Sequence, residues 1–387
     1  MKRLLTFFLI CFSFVEYTRA EDIIDYKYWD EGKLTWDDFQ DTLSLKGVPS
    51  TFNAFLRIEK TEKRDGNTRT IRPEAQACFD KRHSFADRQI QNENLLRLFQ
   101  LKYDLLEMYR RRLQTELNLG VVAADNRTRQ YMDLYTEQSK KAEQETENGQ
   151  NEIKLQEWEF YVTKELIENP APSIPRISPR RFGYGFYLGT GASFPVGNIA
   201  DYWAPAWQIN VGFDLAYANT HLLCDFSAGT ARTRQEITVS NGQITDTWLR
   251  NGHNTYTSIS LGIGQQLVST KYFALMPYAG CIWSGYSDQA KIQEGRNERT
   301  TLSYTNFNWT AGICFDYRFS TTISLVPSFW RGHREIFTAS IRTKLFINRE
   351  QFHNFKIAPD DNGSMLRGCK LGFSVACLGF SRLLQIK

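Results

Sequence analysis

The chain has 387 residues, with 47 basic and 43 acidic side chains and a formal charge of +4 at pH 7. That length admits two domains, and with no basic block interleaved with stacking aromatics there is no footprint for DNA or RNA. No segment after the first twenty residues holds eighteen consecutive apolar side chains, which argues against spanning helices but leaves barrel strands open, because each needs only about 9–11 residues.

Residues 1–20 read as an export signal. Lys2 and Arg3 precede an apolar run from Leu4 to Val15, and Thr18-Arg19-Ala20 offers small residues for cleavage. The run is shorter than the roughly 20 residues a spanning helix needs. Ile10 is too bulky before Cys11 for a lipoprotein site.

Residues 21–168 are expected to form a periplasmic domain, small and α/β at first, then helical. Thr35 before Trp36-Asp37-Asp38 marks a short capped helix or turn. Phe52–Ile58 and Thr70–Phe79 have strand content, joined by an Asp65-Gly66-Asn67 turn. Trp29, Trp36 and Phe39 are expected to fill a small core. Phe99, Leu106 and Leu113 set an apolar stripe on a first helix that ends at Asn118-Leu119-Gly120. Arg110, Arg111 and Arg112 read as its solvated face. A second helix is expected from Thr128 to Ile167, weakened by Gly149, so that the two form a long helical pair.

Residues 169–181 read as a linker, because Pro170, Pro172, Pro175 and Pro179 oppose regular structure. Residues 182–387 read as an antiparallel transmembrane β-barrel, making the fold mainly β. From Trp207 to Tyr217 every odd residue is apolar, whereas Gln208, Asn210, Gly212, Asp214 and Ala216 are polar or small, the period-two signature of a strand. The pattern recurs at Phe182–Ala192, Thr257–Ile263, Phe307–Arg318, Ile336–Ile347 and Met365–Phe380, and less cleanly near 221–231, 271–284 and 321–330. Tight turns are expected at Asn219-Thr220, Ser269-Thr270 and Ser320-Thr321, alternating with longer polar stretches, the outer-membrane arrangement. Tyr187, Trp207, Tyr217, Trp283 and Trp330 suit the interfacial girdles.

These segments number nine, whereas single-chain bacterial barrels have even counts. Eight is expected, with one candidate a loop extension or two segments forming one strand; ten is the alternative. With eight strands the interior holds little but side chains. Asp214, Asp316, Arg318, Arg342 and Lys344 would then pair inside the wall, because an unpaired charge there is costly.

Six cysteines follow the signal: Cys78, Cys224, Cys281, Cys314, Cys369 and Cys377. None forms a CxxC pair, and an even number permits disulfides without implying them. Gly189-Thr190-Gly191-Ala192-Ser193 lacks the lysine and helix of a nucleotide loop.

On this alternation, the C-terminal half resembles the small OmpA-like outer-membrane barrels abundant in Bacteroidetes. More faintly, Trp29 and Leu34-Thr35-Trp36-Asp37-Asp38-Phe39 resemble the opening motif of an uncharacterised exported family with a metallopeptidase-like fold. That family carries an HExxH helix. The matching positions here are Leu98, Phe99 and Lys102, followed by Tyr103, Asp104 and Glu107. Both zinc-binding imidazoles and the general base are missing, and His83 alone could not replace them. Catalytic, cofactor-binding and metal residues are therefore expected to be none. The resulting expectation is a non-catalytic outer-membrane protein whose barrel sits among outer-membrane lipids and anchors a periplasmic interaction domain. Its partner would be an envelope protein or peptidoglycan. A small pore or transporter is the alternative, and an envelope hydrolase a more distant one.

Overall fold

A computed structural model describes residues 26–41, 49–120, 124–240, 245–288, 303–326, 334–352 and 366–386. The export signal and Trp330 lie outside these residues. Two compact units divide the chain: residues 1–59 with 74–173, and 60–73 with 174–387.

The first unit begins with strand β1 (Tyr26–Tyr28), which pairs with the end of β4 (Thr68–Asp80). Short strands β2 (Ser50–Thr51) and β5 (Phe85–Ala86) pair with each other. Strand β3 (Ala54–Asp65) forms a hairpin with β4 through the expected turn. Between β1 and β2, Trp36–Asp38 is a 3-10 turn whose Thr35 backbone N–H donates to Asp38 Oδ2 at 2.9 Å, so the capping motif in the sequence is the one that folds.

Helix α1 (Glu93–Leu119) starts where the Asn92 side chain accepts from Leu95 N–H. It stops at Gly120, whose φ of 102° is a left-handed cap that favours glycine. Its stripe of Leu98, Leu101, Leu105, Leu106 and Leu113 is buried with Phe79 and Ala77 from β4. Each such leucine or phenylalanine contributes roughly 1.5–3 kcal/mol on burial. Trp36, Phe39 and Phe52 pack on this cluster, with the Phe52 and Phe99 rings stacked 5.4 Å apart.

The single helix expected over 128–167 is two: α2 (Ala124–Glu145) and α3 (Glu152–Glu168). The break has a local cause. Glu147, Asn148 and Gly149 all take positive φ, which no helix continues, and Asn151 then caps α3 by accepting from Lys154 N–H. The helical pair is thus a trio.

The second unit is a closed antiparallel ring of eight strands: β6 (Ile177–Gly197), β7 (Ala206–Tyr217), β8 (Thr220–Arg232), β11 (His253–Gln265), β13 (Phe273–Asp288), β14 (Ser303–Ser324), β15 (Glu335–Phe352) and β16 (Leu366–Ile386). Pairing of β16 with β6 and of β13 with β14 leaves no open edge in the ring. A small hairpin, β9 (Ile237–Ser240) with β10 (Thr245–Trp248), lies in the β8–β11 connection, and β12 (Val268–Ser269) lies before β13.

Two segmentations differ from the sequence reading. The ninth segment disappears because Phe307–Arg318 and 321–330 are one strand as far as Ser324. Ser320-Thr321 is no turn; the register of β14 against β15 shifts between Arg318 and Ser320, a bulge that bends the strand without ending it. Beyond the bulge Thr321–Ser324 leaves β13 and pairs in parallel with Thr68–Ile71, the tip of the β3–β4 hairpin. The barrel also starts earlier than 182. Ile177–Pro179 already pairs with β16, whereas pairing with β7 begins only at Phe182. Pro179 therefore sits where its missing N–H has no second strand to serve, the edge position that proline tolerates.

Two connections at one end of the ring are short (218–219, 266–272), with 325–334 longer; those at the other end are 198–205, 233–252, 289–302 and 353–365. The outward face carries the expected apolar set: Trp207, Ile209, Phe213, Ile263, Phe307, Leu345 and Phe373 are exposed. Tyr187 is a correction. It lies on the inward face, 1% exposed, and takes no part in a girdle, whereas Trp207, Tyr217 and Trp283 do face outward.

Candidate functional site: the filled barrel interior

Because β15 alternates strictly, Ser340, Arg342, Lys344, Asn348 and Glu350 all point inward and form a ladder of polar groups up the lumen. The charged rungs meet partners from other strands. Arg342 donates through Nε to Asp316 Oδ1 at 2.7 Å and through Nη2 to Asp316 Oδ2 at 2.9 Å. Asp316 is its neighbour on β14. The same Nη2 reaches across the lumen to Asp214 Oδ2 on β7, also at 2.7 Å. Asp214 is held in turn by His221 Nδ1 at 2.7 Å.

The next rung spans the full diameter. Lys344 Nζ donates to both carboxylate oxygens of Asp225, at 2.8 and 2.7 Å. Asp225 lies on β8, four strands round a ring of eight from β15. The Tyr187 hydroxyl also bonds Asp225, and Lys344 stands 4.9 Å from the Tyr278 ring centre and 5.3 Å from that of Tyr187. Cation–aromatic contacts of this kind are strongest when both groups are desolvated.

Nearer the long-loop end, Lys370 Nζ lies 3.2 Å from Glu350 Oε1, and Ser284 donates to that oxygen at 3.0 Å. Lys370 also sits 3.6 Å from the Tyr256 ring centre and 4.4 Å from that of Tyr286. Above it an apolar plug of Ile199, Trp203, Ile237, Trp248 and Tyr286 fills the lumen, with Trp203 stacked on Tyr286 at 4.6 Å. Between the rungs, a void lined by Asn210, Asp225, Ser258, Thr310 and Lys344 amounts to about 30 Å³. That is the space of one water molecule. Between the Arg342 rung and the apolar plug the described interior is closely packed.

Of the five charges expected to pair inside, Asp214, Asp316, Arg342 and Lys344 do. Arg318 does not; it stands at the short-turn end and donates to the Thr270 carbonyl at 2.7 Å. Asp225, Glu350 and Lys370 are interior charges that the sequence reading did not single out for pairing. Glu350 was legible, since the β15 alternation simply runs on past Ile347. Gly189–Ser193 is plain strand, its glycines pressed against the β16 backbone, so it is no loop of any kind. All six described cysteines are free.

In the first unit, the positions compared above with an HExxH helix are structurally occupied. Leu98 and Phe99 belong to the core. Lys102 Nζ pairs with Glu143 at 2.5 Å and stands 4.6 Å from the Phe52 ring centre. Tyr103 donates to the Lys27 carbonyl at 2.6 Å. Asp104 accepts from Trp29 Nε1 at 2.8 Å and from Gln100 at 2.7 Å. Burial raises the Asp104 carboxyl above its ordinary value, outweighing those two hydrogen bonds. Glu107 is buried and bonded by Arg110 Nε at 2.5 Å and Arg111 Nε at 2.8 Å. Arg111 also caps the α3 C-terminus through the Leu166 and Asn169 carbonyls. The arginines expected on a solvated face are thus in part internal: Arg110 and Arg111 are mostly buried, and only Arg112 is substantially exposed. Burial raises the Cys78 thiol to about 12, which makes it inert. His83 is exposed and bonded to Asp80 at 2.8 Å.

No protein-family model and no curated protein matches the chain. Among solved structures, it is similar to Ail, the attachment invasion locus protein of Yersinia pestis, at 11% identity, covering 52% of this chain and 99% of that one with a TM-score of 0.27. The N-terminal β-barrel domain of Pseudomonas aeruginosa OprF is 9% identical, with 52% and 99% covered and a TM-score of 0.24. A major outer membrane protein from Thermus thermophilus is 12% identical, with 52% and 98% covered and a TM-score of 0.24. The case for a membrane rests on the barrel's own surface.

Proposed function

We propose that this chain is an outer-membrane protein whose barrel is a non-conducting anchor for a periplasmic, non-catalytic interaction domain. The observation that carries the reading is the inversion of the barrel. Its outward face is apolar on every strand, and its charges are buried inside and paired. In water such a surface would aggregate, since an exposed apolar patch larger than a few hundred Å² is unusual on a soluble monomer. In lipid it is the arrangement that closed barrels require.

The chain path supports a periplasmic first unit. β6 enters at Ile177, beside the short connection at Ala218, where the Ala218 N–H donates to the Arg181 carbonyl at 2.7 Å. Short turns face the periplasm in bacterial barrels. An envelope protein is favoured as partner over peptidoglycan, because the three helices offer a long surface and the sequence carries no recognisable peptidoglycan motif. The pore alternative loses the ten strands it needed.

Planar-bilayer recording tests the anchor. The purified full chain is expected to insert without sustained conductance steps in molar KCl. Steady ohmic steps that scale with salt concentration would show a permeable lumen and sink the anchoring role.

A further inference from the structure

We propose that the short-turn mouth of the barrel is a binding site for an oxyanion, a phosphate or carboxylate group. A cavity of about 360 Å³ opens there within the barrel unit, lined by Arg318, Arg382, Arg342, His221, Lys271 and Asn219 among others. Leu378, Phe380, Ile323 and Ile336 supply an apolar wall beside these polar groups.

The charge in this cavity does not close on itself. Arg342 is neutralised by Asp214 and Asp316. Among the described residues Arg318 and Arg382 donate only to backbone carbonyls, Thr270 at 2.7 Å and Ala218 at 2.6 Å, with Arg382 also 5.5 Å from the Phe380 ring centre, and no carboxylate lies within ion-pair distance of either. Lys271 pairs only with the solvent-exposed Asp65. Setting that pair aside, three guanidiniums face two carboxylates, so one positive charge remains.

A second observation points to a ligand independently of the charge. Arg342 Nη1 and His221 Nε2 belong to residues lining the same cavity, and among the described residues neither buried atom has a hydrogen-bond partner; Arg342 Nη1 is a donor, whereas His221 Nε2, with Nδ1 turned to Asp214, donates only in the doubly protonated ring. Arg342 is 1% exposed and His221 5%. Leaving such groups unsatisfied is costly, and native proteins rarely do so without a reason. A guanidinium N–H needs an acceptor, and two further arginine forks stand around the same space. An oxyanion with several lone pairs satisfies them together, as arginine clusters commonly do. The apolar wall leaves room for a short carbon chain carrying the anionic group.

The oxyanion has two possible sources, a soluble periplasmic anion or the phosphate of an anionic lipid headgroup. Two measurements on the full chain separate them. In maltoside micelles, inorganic phosphate is titrated against chloride at constant ionic strength and followed by calorimetry. In nanodiscs of mixed phosphatidylcholine and phosphatidylglycerol, native mass spectrometry reads which lipid stays bound.

Saturable binding of one phosphate per chain supports a soluble anion; selective retention of phosphatidylglycerol supports the headgroup. In either case the R318Q/R382Q double variant is expected to weaken the interaction at least about tenfold, since both charge-assisted donors to the anion are lost. R318K/R382K keeps the charge and is expected to retain part of the binding, which distinguishes a lost site from a lost fold; circular dichroism checks both. Neither ligand binding, or equal binding in the wild type and in a folded R318Q/R382Q variant, would overturn the site.

Discussion

Asp104 shows how a buried carboxylate can be tied into the fold. Its carboxylate holds the Trp29 indole and the Gln100 amide. Because burial raises its pKa in the folded state, the native domain binds that proton more tightly than the unfolded chain does. The resulting stability is fully present below the unfolded value of about 4 and is lost as pH rises through the raised folded value. D104N keeps an oxygen acceptor for Trp29 and has no proton to lose. The melting temperature of the first unit should therefore fall more in the wild type than in D104N as the pH is raised from below about 4 to neutrality. A wild type that gains on the variant over that range would mean that the carboxylate is stabilised where it sits. The sequence disclosed that Leu98 and Lys102 are not a zinc-ligand pair, but not the contacts made around them. That Lys102 pairs with Glu143 depends on the course of α2, which periodicity does not locate.

At the scale of the element, the barrel strands were the most legible part of the chain, for a physical reason. A strand with lipid on one side and a packed lumen on the other must alternate without exception, so each residue reports its own face. Strand ends obey no such rule, which is why the β14 bulge looked like a turn and Ile177–Arg181 looked like linker. Helix breaks are equally local, and three consecutive positive φ values at Glu147–Gly149 leave little trace beyond the glycine. Glycines in the inward face of the barrel carry a different constraint. Tyr187 from β6 lies over Gly212 of β7, and a Cβ on Gly212 would come 2.2 Å from the tyrosine Cζ. G212A must therefore displace Tyr187 from its bonds to Asp225 and Lys344. The expected cost is about 1–3 kcal/mol, the usual penalty for overpacking a tight core. Thermal unfolding in micelles would show it. An unchanged midpoint would mean that the interior has slack which the 30 Å³ void does not suggest.

For the whole molecule, the two units hold themselves together by unlike means, and this has a measurable consequence. The first unit depends on a conventional core around α1, with Glu107 and its two arginines at one side. The second depends on a closed hydrogen-bonded ring whose interior charges meet opposite partners, Arg342 with Asp214 and Asp316 and Lys344 with Asp225. Removing one member of a buried pair costs about 3–5 kcal/mol, because its partner stays charged and uncompensated. E107A leaves Arg110 and Arg111 without their shared carboxylate in the helical unit. R342M leaves Asp214 and Asp316 without their cation in the barrel. Neither residue shares a partner with the other, so their effects should add rather than couple. Heating the full chain in micelles should give two transitions, the helical signal first and the strand signal later. E107A should lower only the first and R342M only the second. A single transition that both substitutions shift would show that the β3–β4 hairpin, whose base belongs to one unit and whose tip to the other, welds them into one cooperative body.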